Sequence, residues 1–318
     1  MSFTADYATL PAYILGITDR IWERRGVGLI RQWYAADCIM HTAFGDSVGV
    51  EQVVSGTAET LHSFPDRRLL GEDVVYSGGV AGNGYSSHRI VSTMHHRGDG
   101  VFGAATGRPV MARTVADCLI RDGIIVEEWL VRDQAAIALQ LGIDPADWGR
   151  QRAQVLAVED SALPDPDMIP QVSPAAEPDS LGTWAAAAMR RIWNQGDLGH
   201  IGDIYDPAAN LHLPRGQTAF GHGGLDGWVL SYLAAFPDAA LVVENIITRT
   251  DPGRPTRVAL RWRIAGTHSG RGAFGPPSGA RIHIPGISHL EIADGKVIRE
   301  FVLVDELAIW TAVGLHLG

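Results

Sequence analysis

The chain has 318 residues, of which 46% are hydrophobic and 19% charged, and its 26 basic and 36 acidic side chains give a formal net charge of −10. An acidic chain argues against nucleic acid and anionic membranes as partners. No segment reaches the ~20 consecutive apolar residues of a membrane-spanning helix, and the N-terminal segment lacks the basic and apolar regions of a signal peptide. We therefore expect a cytoplasmic protein.

An internal repeat covers most of the chain. At an offset of 171 residues (193 − 22), the repeated positions are Trp22 and Trp193, Tyr34 and Tyr205, and His41 and His212. At an offset of 172 (305 − 133), they are the Phe-Pro-Asp segments at 64–66 and 236–238, the Asp-Gly pairs at 122–123 and 294–295, and Asp133 and Asp305. A nearly constant offset over this length indicates a tandem duplication.

The two copies predict the same order of elements. Each begins with a helix, at 8–25 and 181–194, followed by a short helix and a short strand with a histidine, at 38–42 and 210–213. A further helix, at 49–63 and 223–235, ends at Phe-Pro-Asp because proline cannot continue it. Four longer strands follow, at 69–77, 84–96, 109–121 and 124–133, and at 239–249, 256–267, 280–292 and 296–305. Helices followed by hairpin-linked strands predict an α+β fold with an antiparallel sheet in each copy.

This order divides the chain into a first domain at 1–143, a linker at 144–180 and a second domain at 181–318. The linker is rich in proline, which favours extended chain after a short helix at 146–158.

An aspartate closes the last strand of each copy. Asp133 and Asp305 both follow apolar strands and precede short helical patterns. Two interpretations are open: the carboxylate caps the next helix, or it is a pocket acid or base whose pKa is set by apolar walls.

The same elements resemble a known family. The order of helices, histidine strand and Phe-Pro-Asp helix, a Phe-Gly-x-x-[Thr/Ser]-Gly loop at 102–107 and 274–279, and a last strand ending in aspartate resembles the SnoaL-like polyketide cyclases of the nuclear-transport-factor-two-like superfamily. The resemblance implies a cone-shaped α+β barrel in each copy, a curved sheet wrapped around helices, with a pocket between them. It also implies that Asp133 or Asp305 is the acid/base of an aldol ring closure, although Phe301 replaces Trp129 in the second copy.

Histidines and arginines supply further candidates. His41 and His212 could orient a pocket carboxylate or exchange a proton with it. Alternation along the 84–96 strand puts Arg89 on one face and His88 on the other, and either could stabilise an enolate. We expect Arg263 to be the counterpart of Arg89, at an offset of 174 (263 − 89) after a change in loop length.

Asp117 and His289 are aligned in the strand before the last hairpin. A strict two-residue Asp-Gly turn would pair Asp117 with Glu128 and His289 with Glu300, on the face opposite the terminal aspartates. A β-bulge would reverse this parity.

Aromatic residues could line an apolar pocket for a ring system, or equally fill a core. The candidates for substrate contact are Trp22, Trp129, Trp193 and Phe301.

These residues predict a cofactor-free lyase or isomerase with no metal, in which Asp133, assisted by His41, removes a proton next to a carbonyl of a small apolar, oxygenated substrate. Epoxide hydrolysis by the same residues is a close relative. The alternative is a non-catalytic module that binds a small molecule or is structural. In either case the halves could form an internal pseudo-dimer, and whole chains could associate further.

Overall fold

The computed structural model describes residues 7–165, 168 and 177–318. It divides into two compact units, the first comprising Met1–Arg132 and Ala136–Ile143 and the second Asp133–Ala135 and Asp144–Gly318. The helix predicted at 146–158 spans Pro145–Val158 and groups with the second unit. The extended linker predicted after it includes residues 166–167 and 169–176, which lie outside the described residues.

The helices of the first copy form where the pattern predicts them. They are α1 (Leu10–Thr18), continued by a π-helical turn (Asp19–Glu23), the short α2 (Ile30–Trp33) and α3 (Val50–Ser63). The Thr9 side chain caps α1 by accepting from the backbone N–H of Ala12, a common N-cap contact. After α3, the Asp66 carboxylate accepts the backbone N–H of His95 at 2.8 Å, which ties the Phe-Pro-Asp corner to the sheet.

The first sheet has six strands in the order β2-β1-β6-β5-β4-β3. Their bounds are β1 Tyr34–Thr42, β2 Gly45–Val48, β3 Arg68–Gly78, β4 Asn83–His95, β5 Pro109–Arg121 and β6 Ile124–Arg132. The expected antiparallel pairing holds for this sheet except between β1 and β6, which pair in parallel. The helix α3, which lies between β2 and β3, carries the chain from one edge of the sheet to the other. The described strands form an open sheet and not a closed barrel.

The second unit repeats this topology, in the order β8-β7-β12-β11-β10-β9. Its helices are α6 (Ser180–Asn194), α7 (Ile201–Ile204), α8 (Gly221–Ala235) and α9 (Glu306–Leu317), and α4 (Gln134–Leu141) and α5 (Pro145–Val158) precede them. Its strands are β7 Tyr205–Leu213, β8 Gln217–Phe220, β9 Ala240–Arg249, β10 Thr256–Thr267, β11 Arg281–Ala293 and β12 Lys296–Val304. The predicted duplication and the α+β class are confirmed.

A β-bulge after each Asp-Gly turn sets the register of the last hairpin. In the first unit Ile120 pairs with Ile125 but Leu119 pairs with Glu127, so one residue of β6 is skipped. Asp117 therefore pairs with Trp129, in agreement with the bulged alternative, and not with Glu128 as a strict two-residue turn would require.

The second unit has the same bulge. His289 pairs with Phe301 and not with Glu300. The extra residue in each last strand reverses which side chains face the helices, and this reversal decides the composition of the site.

Each unit has its own apolar core between its helices and its sheet. Tyr13, Ile17 and Trp33 belong to the first core, and Trp193, Tyr232 and Trp262 to the second. Cys38 and Cys118 are free and buried in the first core. Across the described residues no helix is long and apolar enough to cross a membrane.

Candidate functional site

A cavity of about 260 Å³ lies in the first unit between the helices and the sheet. This volume lies slightly below the range usual for small-molecule sites, roughly 300–1,000 Å³. Its mouth is formed by exposed positions on α3, including Gln52, Gly56 and Glu59. Its interior is lined mainly by Trp22, Tyr34, Met40, Arg67, His88, Ile90, Thr114, Ala116, Glu128, Leu130 and Arg132.

A hydrogen-bonded tyrosine–glutamate pair, Tyr34 and Glu128, lies at one end of the cavity. The Tyr34 hydroxyl donates a hydrogen bond to Glu128 Oε2 at 2.8 Å. Burial raises the pKa of the Glu128 carboxyl, while the Tyr34 hydroxyl and the positive charge of Arg132 oppose that rise. A buried carboxylate with a raised pKa is a stronger base than an exposed one. Glu128 is therefore a candidate for proton transfer inside the cavity.

A cation lies at another part of the wall. Arg67 is only 6% exposed, its Nε donates to Ser92 Oγ at 3.1 Å, and its guanidinium carbon lies 4.4 Å from the ring centre of Trp22. Burial, followed by the positive charges of Arg132 and Arg25, lowers the pKa of Arg67. Arginine nevertheless stays charged at neutral pH, so the cavity contains a desolvated positive charge.

A neutral histidine, His88, lies between Glu128 and Arg67 in the wall of the cavity. His88 is buried, and burial lowers its pKa to about 4. Its Nδ1 has no hydrogen-bond partner among the described residues. In the sheet, His88 pairs with Ala116 and Ala116 with Leu130, two residues from Glu128. An uncharged imidazole here can exchange a hydrogen bond with a ligand oxygen.

The second unit has the same tyrosine–glutamate pair but little open space around it. The Tyr205 hydroxyl donates to Glu300 Oε2 at 2.7 Å, and burial raises the pKa of Glu300. The cavity beside this pair measures only about 10 Å³. The rings of Trp228 and Trp262 lie 5.4 and 6.3 Å from that of Trp193, so three indoles fill this region.

Single replacements at equivalent positions explain the difference between the units. At an offset of 172 residues (228 − 56), the second unit has larger side chains at two positions and apolar side chains in place of polar ones at three. The larger ones are Trp228 for Gly56 and Trp262 for Ile90, and the apolar ones are Leu260 for His88, Ala239 for Arg67 and Val304 for Arg132. The Trp262 ring needs Gly286, where a Cβ atom would lie 2.3 Å from it, and Thr114 stands at that position in the first unit.

Two of the residues selected from the sequence line the first cavity, and one lines the second. Trp22 and His88 contribute to the first, and Trp193 to the small space in the second unit. The strand alternation that separated His88 from Arg89 is confirmed. Arg89 lies on the other face, where its Nε donates to Glu72 at 2.9 Å.

The counterpart of Arg89 is Arg261, so the expected assignment to Arg263 was wrong by two residues. Arg89 pairs with Val115 and Arg261 with Ile287, which gives a constant offset of 172 (261 − 89). Arg261 also donates to Glu244, as Arg89 does to Glu72, while Arg263 binds the other oxygen of Glu244 at 2.6 Å.

The histidines on β1 and β7 also lie outside the residues that line the cavities. His41 Nδ1 is 2.8 Å from Asp46 and its Nε2 is 2.9 Å from Glu127, and its ring stacks on Trp129 at 5.0 Å. His212 stacks on Phe301 at 4.2 Å. Asp117 accepts the Tyr85 hydroxyl at 2.8 Å on the same face as Trp129, and His289 lies opposite Phe301.

The terminal aspartates bind backbone and amide groups. Asp133, which groups with the second unit, accepts the backbone N–H groups of Arg215 at 3.0 Å and Gly216 at 2.8 Å. Asp305 is the N-cap of α9, where it accepts from the N–H of Leu307, and its other oxygen accepts from the Gln134 amide at 2.5 Å. The structure thus brings neither of them to the first cavity, and Asp305 has the capping contact that the sequence left open.

Sequence reasoning missed Glu128, Arg67 and Arg132. The strict hairpin register placed Glu128 on the wrong face. A signal was nevertheless present, because Tyr34 and Glu128 both recur, as Tyr205 and Glu300, at the offsets of the duplication.

Comparisons with known proteins agree with the duplicated topology. A family model described as SnoaL-like polyketide cyclase matches two segments, residues 12–141 and 183–313. No curated protein matches the chain.

Three solved structures that match this chain each match less than half of it. IdmH of Streptomyces antibioticus is 24% identical, with a TM-score of 0.36, and the match covers 42% of this chain and 98% of IdmH. AclR of Streptomyces galilaeus is 24% identical, with a TM-score of 0.37 and coverage of 42% and 82%. A SnoaL-like polyketide cyclase of Agrobacterium tumefaciens is 20% identical, with a TM-score of 0.33 and coverage of 42% and 96%.

Proposed function

The chain belongs to the SnoaL-like polyketide cyclase family, and from this premise we propose that its first unit is a cofactor-free acid–base enzyme of the lyase or isomerase type. Its substrate is a small, largely apolar molecule with a carbonyl group. The observation that carries the proposal is that Glu128, a buried carboxyl with a raised pKa, lines a ligand-sized cavity.

Proton abstraction next to a carbonyl is the step that these groups suit. The Glu128 carboxylate takes a proton from the carbon beside the carbonyl, and the electron pair of the broken C–H bond forms an enolate. The buried His88 ring, whose Nδ1 lacks a partner within the described part of the chain, donates a hydrogen bond to the enolate oxygen. Such preorganised donors are worth most where water is excluded.

The proton on Glu128 then completes either of two reactions. If the proton returns to a different carbon of the enolate, the reaction is an isomerisation. If the enolate carbon instead attacks a second carbonyl of the same molecule, a carbon–carbon bond closes a ring, and the new alkoxide takes the proton from Glu128. The second outcome is an aldol cyclisation. In both, the Tyr34 hydroxyl holds the carboxyl in place through its 2.8 Å hydrogen bond.

Exchange of α-protons with solvent deuterium tests the proposal without knowledge of the natural substrate. The probe is 2-tetralone, an enolisable bicyclic ketone, followed by NMR in D₂O. We expect wild type to accelerate the exchange and Glu128→Gln to lose at least a hundredfold of that acceleration, within the range of general-base effects. The matched control is Glu300→Gln, since Glu300 makes the same tyrosine hydrogen bond beside a filled space.

Two results would contradict this assignment. Equal loss in both glutamine variants would indicate a structural role for the tyrosine–glutamate pair. Binding of 2-tetralone without any exchange in wild type would favour the second candidate function, a non-catalytic binding module. The filled space in the second unit favours such a silent role for that half of the chain. The pairing of the two halves as a pseudo-dimer stays a prediction.

A further inference from the structure

Arg67 has an unusual environment for a buried cation. Its Nε hydrogen bond goes to a neutral hydroxyl and its guanidinium faces the Trp22 ring. Among the described residues no carboxylate forms an ion pair with it, although the negative charge of Glu23 opposes part of the lowering of its pKa. Arg67 nevertheless lines the cavity of the first unit.

Burying a charge without a counter-ion is strongly unfavourable. A cation–π contact such as that with Trp22 offsets only a part of this cost. Arg132 lines the same cavity and adds a second positive charge. The cost is therefore incompletely offset within the protein, and an anion entering the cavity would offset the rest.

The wall between the positive end and the acid/base end is apolar in part and also contains His88. Arg132 lies four residues after Glu128 on β6, which places their Cα atoms ~13 Å apart. Ile90, Ala116 and Leu130 line the cavity between them. A ligand that fits this wall is apolar in its middle and charged at one end.

We propose that the substrate of the first unit is an organic carboxylate, whose charged end pairs with Arg67 beside Trp22 while its apolar skeleton extends towards Glu128. This inference rests on the proposed function for the reacting end. A carboxylate matches the planar guanidinium in a bidentate geometry. The second unit has Ala239 at the position of Arg67 and no comparable cavity.

Calorimetric titration with matched ligands tests this inference. The probes are 2-naphthoate, its uncharged methyl ester and 2-naphthyl phosphate. We expect wild type to bind 2-naphthoate at least tenfold more tightly than the ester. Arg67→Gln should lose this preference. Arg121→Gln, which removes the same charge from an exposed position, should keep it.

Three results would overturn the inference: equal affinity of wild type for acid and ester, a preference that survives in Arg67→Gln, or tighter binding of 2-naphthyl phosphate than of 2-naphthoate. If Arg67→Gln does not fold, as judged by circular dichroism, the comparison of the ligands in wild type still decides. If wild type shows no preference for the acid but its deuterium exchange still depends on Glu128, the proposed function stands. Only the inference that the substrate is a carboxylate is then rejected.

Discussion

Tyr34 donates a 2.8 Å hydrogen bond to Glu128 from the first residue of β1 to the middle of β6. The same relationship joins Tyr205 to Glu300 in the second copy at 2.7 Å. The duplication has therefore preserved the polar pair. Only the first copy has open space beside it, so the two halves are equal in topology and unequal in their capacity to hold a ligand.

Removal of the Tyr34 hydroxyl should change how Glu128 titrates. The hydrogen bond favours the charged carboxylate and lowers its pKa, so Tyr34→Phe should raise that pKa. The rising limb of the pH–rate profile for α-proton exchange should move to higher pH. Tyr205→Phe should leave the limb where it is, and an unmoved limb in Tyr34→Phe would count against Glu128 as the base.

Filling the first cavity should abolish binding. Gly56 lies on α3 at the mouth, and a Cβ atom added there would meet nothing within 4 Å. Gly56→Trp introduces the residue that the second copy has as Trp228. We expect loss of 2-tetralone binding in an NMR titration with a nearly unchanged melting temperature.

The control for this substitution is Gly227→Trp, which adds the same indole to an exposed position of α8 with free space around it. It should retain ligand binding. Undiminished binding by Gly56→Trp would show that the ligand site lies elsewhere.

Removal of the Trp262 ring from the second unit should lower the stability of the protein. Trp262 is 1% exposed and packs against Gly286. Trp262→Ile should lower the free energy of unfolding by roughly 2–4 kcal/mol, because a large buried ring is removed from a filled core. Urea denaturation measures this change, and a loss below about 1 kcal/mol would mean that the indole does not fill the core as described.

The buried His88 predicts a specific sensitivity to acid. Burial lowers its pKa to about 4, whereas an unfolded histidine titrates near ~6.5. The unfolded chain therefore binds the proton first, so stability is full above about pH 6.5 and falls as the pH decreases towards about 4. The contribution is at most roughly 3 kcal/mol.

His88→Leu should remove this part of the acid sensitivity, since the second copy has Leu260 at that position. The measurement is the difference between the unfolding free energies of wild type and variant from pH 7 to pH 4. Glu128, Arg67 and Arg132 line the same cavity as His88 and are also charged or titratable. The unfolding free energies of wild type and variant are therefore compared at each pH. Parallel curves would contradict a neutral, buried His88.

Asp133 and Asp305, which directly follow β6 and β12, should contribute to stability and not to proton exchange. Asp133 accepts two backbone N–H groups and Asp305 caps α9. Asp133→Asn and Asp305→Asn should each lower the free energy of unfolding by about 1–2 kcal/mol and leave 2-tetralone exchange unchanged. Loss of exchange in Asp133→Asn, without loss of stability, would return this residue to a catalytic role.

Much of the fold could be predicted because its signals are local or repeated. The Phe-Pro-Asp corners and the Asp-Gly turns punctuate the chain, and the constant offset shows that the pattern occurs twice. The parallel pairing of β1 with β6 could not be found in this way, since it joins residues about 90 positions apart and no local pattern encodes it.

The site was harder to predict because one inserted residue decides it. Skipping a residue of β6 turns Glu128 towards the helices, while a hairpin without the bulge turns it away. His88 was placed correctly because no bulge interrupts its pairing with β5. The sequence did contain the contrast between Gly56 and Trp228, but only the cavity shows that this contrast matters.

The most direct test of the central claim is an NMR titration of uniformly ¹⁵N-labelled wild type with 2-tetralone. If the first unit holds the ligand site, the amide signals of Ala116 and Leu130 will shift in a saturable manner, while those of Ser288 and Val302, at the equivalent positions of the second unit, will stay in place. Shifts confined to Ser288 and Val302, or no saturable shift in either unit, would contradict the account.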